Sequence, residues 1–179
     1  MKLSTAIGLS LALAASCFAL GFAPANATER PWYVKAEIGA SAQTEIEGIE
    51  LEDGSVYGGA VGTAIGPVRV EVGARSLNVD TFGVNLSSID YNATAYLDLA
   101  VGESSSVFVG AGVDYVDAEA SFGYGDYQTS AYGWHASAGY ARRITPGVIV
   151  EGQARYTDIG FDGFDANTTD FTVGVRLAL

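Results

Sequence analysis

From Trp32 onward the chain alternates apolar and polar positions with a period of two, and turn clusters break the alternation at intervals. Eight stretches carry the pattern: 32–40, 56–65, 68–77, 89–100, 106–116, 129–142, 148–157 and 168–179. Most run for about ten residues, the length of a tilted strand crossing a bilayer. A helical period fits none of them well, and glycines recur inside them, which a helix tolerates poorly. The connections alternate in length. Short ones fall at Gly66-Pro67, 101–105 and 143–147, and longer polar or glycine-rich ones at 41–55, 78–88, 117–128 and 158–167. Short turns at one end and long loops at the other are the layout of a membrane barrel. With both chain ends on the short-turn side, the connections close eight strands. The pattern predicts an all-β fold: an eight-stranded antiparallel up-and-down transmembrane β-barrel.

The charges sharpen this reading. In the first stretch Trp32, Val34, Ala36 and Ile38 alternate with Tyr33, Lys35, Glu37 and Gly39, and in the third Val68, Val70 and Val72 alternate with Arg69, Glu71 and Gly73. The remaining stretches repeat the division, and only Arg142, at a strand end beside a short turn, comes close to breaking it. A basic residue on the lipid face near the midplane costs roughly 2–4 kcal/mol, so a barrel wall must keep one parity free of charge. Alternation alone does not say which face points inward. Glycines do: Gly39, Gly58, Gly62, Gly73, Gly110, Gly112, Gly133, Gly139 and Gly174 share the charged parity. Small residues beside long charged ones suit the narrow lumen of a small barrel. Lys35, Glu37, Arg69, Glu71, Arg75, Asp90, Asp98, Asp114, Glu151, Arg155, Asp170 and Arg176 are therefore expected to point into the lumen and pair there as a structural ion-pair network.

Aromatic positions fit the same orientation. With the short turns toward the periplasm, Tyr57, Tyr91, Tyr115, Tyr132, Tyr156 and Phe171 fall on the apolar parity near the long-loop end, and Trp32 and Tyr140 near the other. These are expected to form girdles at the two membrane interfaces.

The first 27 residues stand apart. Lys2 precedes an apolar run from Leu3 to Phe22, Pro24 ends it, and Ala25-Asn26-Ala27 has the small-x-small form of a cleavage site. Residues 1–27 are read as a cleaved signal peptide and 28–179 as the barrel domain. The competing reading is lipidation at Cys17, preceded by Ala14-Ala15-Ser16. Cleavage after Ala27 leaves no cysteine, so no disulfide framework is expected.

Charge narrows the partners. With 21 acidic against 9 basic residues and a net charge of −12, nucleic-acid binding is not expected. The expected partners are outer-membrane lipids and the barrel assembly machinery, for a chain read as a monomer. The long loops hold Glu45, Glu47, Glu50, Glu52, Asp53, Asp80, Asp117, Glu119, Asp126, Asp158, Asp162 and Asp165 and no lysine or arginine. They are read as acidic, surface-exposed loops, either simply solvated, bridged by divalent cations to glycolipid phosphates, or in contact with a basic partner. Asp158, Asp162 and Asp165 lack the ligand spacing of a calcium loop.

No zinc-type cluster or phosphate loop occurs, and no cofactor is expected. His135, Ser137 and Glu151 resemble the His-x-Ser and later Glu of outer-membrane lipid A deacylases. However, Ala138 replaces the asparagine after the serine, and all three residues share the lumen parity. The reading is therefore not an enzyme, with a lipid-modifying enzyme as the remote alternative.

Gly139-Tyr-Ala-Arg-Arg-Ile-Thr-Pro-Gly-Val, followed by Val150-Glu-Gly-Gln-Ala-Arg-Tyr-Thr-Asp-Ile-Gly160, resembles the penultimate hairpin of opacity-like, porin-family outer-membrane β-barrel proteins. Phe171-Thr-Val-Gly-Val-Arg-Leu-Ala-Leu179 resembles their final strand, although that family usually ends on phenylalanine. The resemblance implies a Gram-negative outer-membrane location. The expected role is structural or surface-interacting, with a narrow passage for small solutes or ions as the alternative.

Overall fold

The computed structural model describes residues 32–46, 49–51, 54–81, 84–122, 125–161 and 164–179. The leader, Cys17, Glu47, Glu52, Asp53 and Asp162 lie outside the described residues. The strands are β1 (Trp32–Ile46), β2 (Ile49–Leu51), β3 (Gly54–Ile65), β4 (Val68–Thr81), β5 (Val84–Ala100), β6 (Ser105–Phe122), β7 (Gly125–Thr145), β8 (Val148–Phe161) and β9 (Phe164–Ala178). Apart from β2, which pairs only with the end of β1, each strand pairs antiparallel with its sequence neighbours in the barrel wall. β1 closes on β9, from Tyr33↔Ala178 to Ile46↔Ala166. Closure follows from the solvent: lipid offers no hydrogen bonds, so a spanning sheet cannot leave an edge.

The parities divide as the charges require. Ile38, Val61, Val70, Val72, Val109, Val113, Val173 and Leu177 are exposed on the outside of the wall. Lys35, Arg69, Glu71, Asp98, Glu151 and Arg176 are buried within it. The interior is mixed, because Tyr33, Val56, Val79, Tyr96, Phe108 and Val116 are buried there too. Gly66-Pro67 makes the tight turn between β3 and β4, where Gly66 takes a left-handed conformation at φ 62°.

The long connections depart from expectation. The stretches read as loops are mostly paired strand: β4 and β5 stay in register to Thr81↔Val84, β6 and β7 to Phe122↔Gly125, and β8 and β9 to Phe161↔Phe164. β1 likewise continues to Ile46, where β2 folds back on it. Above a bilayer both faces of a ribbon meet water, so neither parity needs to be apolar. The period-two signal fades there while the backbone goes on pairing.

Two irregularities mark the wall. The β1–β9 register shifts between Ser41 and Gln43, and the β7–β8 register between Arg143 and Thr145. The second lies next to Arg142, which is exposed and pairs with Ser105 and Val150 at the short-turn end.

Candidate functional site: a closed ionic lumen

The barrel brings the twelve charged residues named above into two sets of contacts, nine residues in one and Arg155, Asp90 and Asp114 in the other. Eleven are buried and Asp90 is partly exposed. Toward the short-turn end, Lys35 Nζ lies 2.8 Å from Glu71, 3.2 Å from Glu37 and 3.6 Å from Glu151. Arg69 pairs closely with Glu71 and reaches Asp98 at 3.1 Å, while Arg176 Nε meets Glu151 at 2.8 Å. Tyr33 donates its hydroxyl to Glu71 at 2.7 Å. The Arg69 guanidinium also lies 4.0 Å from the Tyr96 ring centre and 5.1 Å from that of Phe108. Those two rings meet edge to face at 5.6 Å. The guanidinium thus has carboxylates in its plane and π-faces beside it, an arrangement that replaces much of the hydration it gives up.

Toward the long-hairpin end, Arg75 holds Asp170 at 2.6 Å and Glu37 at 2.8 Å. Arg155 holds Asp90 at 2.8 Å and pairs closely with Asp114. Glu37 touches both Lys35 and Arg75 and so joins the Lys35 group to the Arg75–Asp170 pair. Among these twelve residues seven carboxylates face five basic side chains.

Glycines make these reaches possible. Gly58 lies in register between Glu37 and Arg75, Gly62 between Tyr33 and Glu71, and Gly112 between Thr94 and His135. In each case the flanking side chains bond across the glycine, where a Cβ would meet at least one of them. The glycines on the lumen parity pointed to crowding. Which long side chains meet over each one depends on register, which the sequence pattern leaves open.

His135 is 0% exposed. Its Nδ1 lies 2.8 Å from Asp114 and its Nε2 lies 2.9 Å from Thr94 Oγ1. Hydroxyl, imidazole and carboxylate stand in the order of a proton relay, but Thr94 is as enclosed as the ring and has no approach for a substrate. Ser137 Oγ has no hydrogen-bond partner among the described residues, and Glu151 is held by Lys35 and Arg176. The geometry therefore does not assemble His135, Ser137 and Glu151 into one site. Among the described residues no three His, Cys, Asp or Glu side chains converge to hold a metal.

On the outer face, Tyr91, Tyr115 and Tyr132 stand in one row across β5, β6 and β7, with ring centres 6.5 and 5.2 Å apart. Tyr57, Tyr156 and Phe171 are exposed at the same end, and Trp32 and Tyr140 at the other. Trp134 joins the upper group against Tyr156, with centres 5.8 Å apart. It was legible from its parity, which it shares with Tyr132, but sequence reasoning passed over it. The same reasoning missed Phe108, although it shares the parity of Gly110 and Asp114.

Solved structures share this architecture. Neisserial surface protein A aligns over 83% of this chain and 97% of its own, at 20% identity and a TM-score of 0.75. Ail, the attachment invasion locus protein of Yersinia pestis, covers 83% and 99% at 13% identity, with a TM-score of 0.57. OprG, an outer membrane protein from Pseudomonas aeruginosa, covers 85% and 97% at 8% identity, with a TM-score of 0.55. At these identities the likeness concerns the fold. No curated protein sequence matches the chain. Residues 10–177, however, match the family described as outer membrane protein beta-barrel domain. The chain belongs to that family of outer-membrane β-barrels.

Proposed function

We propose that this outer-membrane barrel serves the envelope as a structural and surface-interacting protein rather than as a channel or an enzyme. The observation that carries the reading is the continuous ion-pair network across the lumen, in which Glu37 ties the Lys35 group to the Arg75 group. Conduction would require several of these buried pairs to break together, and separating one buried charge from its partner costs about 3–5 kcal/mol. The short turns face the periplasm in this reading. The extended ribbons then carry their acids outward, with Asp117 and Glu119 exposed. Residues 1–27 direct export. Ail, named for attachment and invasion, has the same fold and fits a surface role, although its 13% identity carries no residue-level claim.

Planar-bilayer recordings of the refolded protein test the closed lumen. The expected result is rare, small openings at most, and large steady currents would overturn it. Deletion of the gene tests the role. Altered detergent sensitivity or adhesion with normal solute uptake supports the reading, whereas selective loss of uptake favours a narrow passage. One feature favours that second reading: a cavity of about 40 Å³ at the long-hairpin end of the lumen, lined in part by Arg75, Asp90 and Asp170.

A further inference from the structure

The wall is not level at the long-hairpin end. β8 and β9 stay paired to Phe161↔Phe164, one pair beyond the point where β7 and β8 part company at Tyr132↔Gly160. β6 and β7 continue paired for seven residues of β7 above that point, to Phe122↔Gly125. β5 keeps β6 covered on its other side as far as Asn85↔Ser121. The backbone of β7 from Gly125 to Ala131 therefore pairs with β6 on one side. On the other, among the described residues, it pairs with nothing. At about 3.3 Å per residue this open edge is roughly 20 Å long.

Protruding edges are ordinarily blunted by lysine, proline or a bulge. None of these interrupts 125–131, and the β6–β7 register runs through it without a shift. The surface beside the edge has a definite chemistry. Ser130 and Gln128 on β7 stand in register with Asp117 and Glu119 on β6, and all four are exposed on the same face. They line a groove of about 500 Å³ with Ser87, Ser88 and Thr129. Gln128 Nε2 donates to Glu119 at 3.3 Å. The chain has no lysine or arginine between Arg75 and Arg142, so no fixed positive charge on these ribbons neutralises the acids from within.

We propose that the β7 edge, Gly125–Ala131, takes up an extended peptide segment of an external protein as an added strand, with lysine or arginine at alternate positions. The main chain of the segment would complete the unpaired ladder. Side chains on its outward face would lie beside Gln128 and Ser130, one strand from the carboxylates. A long basic side chain bridges that gap over the short Ser130 and a short apolar one does not. The basic pattern follows from charge complementarity, and the extended form from the edge. This deepens the surface-interaction reading and rests on it.

The test uses the full mature barrel refolded in detergent and a synthetic octapeptide alternating lysine with threonine or valine. Two control peptides accompany it, one with the backbone N-methylated at alternate positions and one with glutamate for lysine. The lysine peptide is expected to slow amide exchange in 125–131 at least about tenfold and to leave the barrel strands unchanged. Both controls are expected to lose this protection. The double variant D117N/E119Q, which lies outside the lumen, is expected to weaken binding about five- to tenfold, the scale of two exposed ion pairs. Equal binding of the N-methylated peptide, protection away from 125–131, or no binding of the lysine peptide would each overturn the proposal. The deletion phenotype judges the surface role separately, so an inert edge in a strain with altered adhesion sinks only the strand addition.

Discussion

Gly58, Gly62 and Gly112 each occupy a lumen position that two larger neighbours need, and the cost of filling that space depends on what the new atom meets. A Cβ on Gly112 would meet the Ala93 carbonyl oxygen, which belongs to the ladder, and the His135 ring, which is held at both nitrogens. Neither can move without breaking a bond. G112A is expected to destabilise the folded barrel by about 1–3 kcal/mol, as overpacking in a closed interior does. Gly152 has nothing within 4 Å of the same position and faces outward. G152A should therefore be neutral or slightly stabilising, since alanine restricts the unfolded chain. Urea unfolding midpoints of both variants in the same micelles check the contrast, and equal midpoints would refute it. The sequence marked these glycines by parity alone. Only coordinates separate the crowded from the open ones.

Each strand answers to two solvents along its length, and its sequence changes character where the solvent does. Val72 lies midway along the alternating stretch 68–77 of β4, 60% exposed on the lipid face between Val61 and Ala93. V72K is expected to cost about 2–4 kcal/mol, the penalty for a basic residue at midplane depth. Trimming 118–129 to a short turn should change the unfolding free energy by less than about 1 kcal/mol, because that ribbon adds little to the enclosed lumen. Folding yields and midpoints in lipid vesicles test both, and a trimmed barrel that fails to close would count against the division. Strand positions within the bilayer were legible because lipid enforces alternation there. The upper extensions, including β2, were not, since water on both sides removes the constraint.

Across the molecule nine of the twelve lumen charges form one unit, because the Lys35 and Arg75 groups share Glu37. E37Q leaves Arg75 with Asp170 and Lys35 with Glu71, while R75M strands Glu37 and Asp170 in part. Each single variant is expected to destabilise by about 1–3 kcal/mol, the cost of taking one of several partners from a buried charged group. The double variant should cost less than the sum of the two, because removing both partners leaves fewer charges unmatched. Strict additivity in that cycle would mean that the contact contributes nothing. The same closure that fills the lumen gives the barrel a continuous wall, so unheated detergent should preserve a compact species that runs differently on gels from the boiled one.

Alternation, the placement of every charge on one parity, and the tally of short and long connections were enough to specify a closed eight-stranded barrel with its ionised side chains inward. They suffice because a bilayer penalises a bare backbone edge and a charged outer face whatever the details of packing. The sequence did not determine register, and register decides the partners: that Arg75 crosses Gly58 to Glu37, that His135 meets Thr94 and Asp114 rather than Ser137, and that β7 outruns β8. The side-chain contacts join residues 21 to 41 positions apart, where the register of each strand pairing fixes which side chains stand side by side.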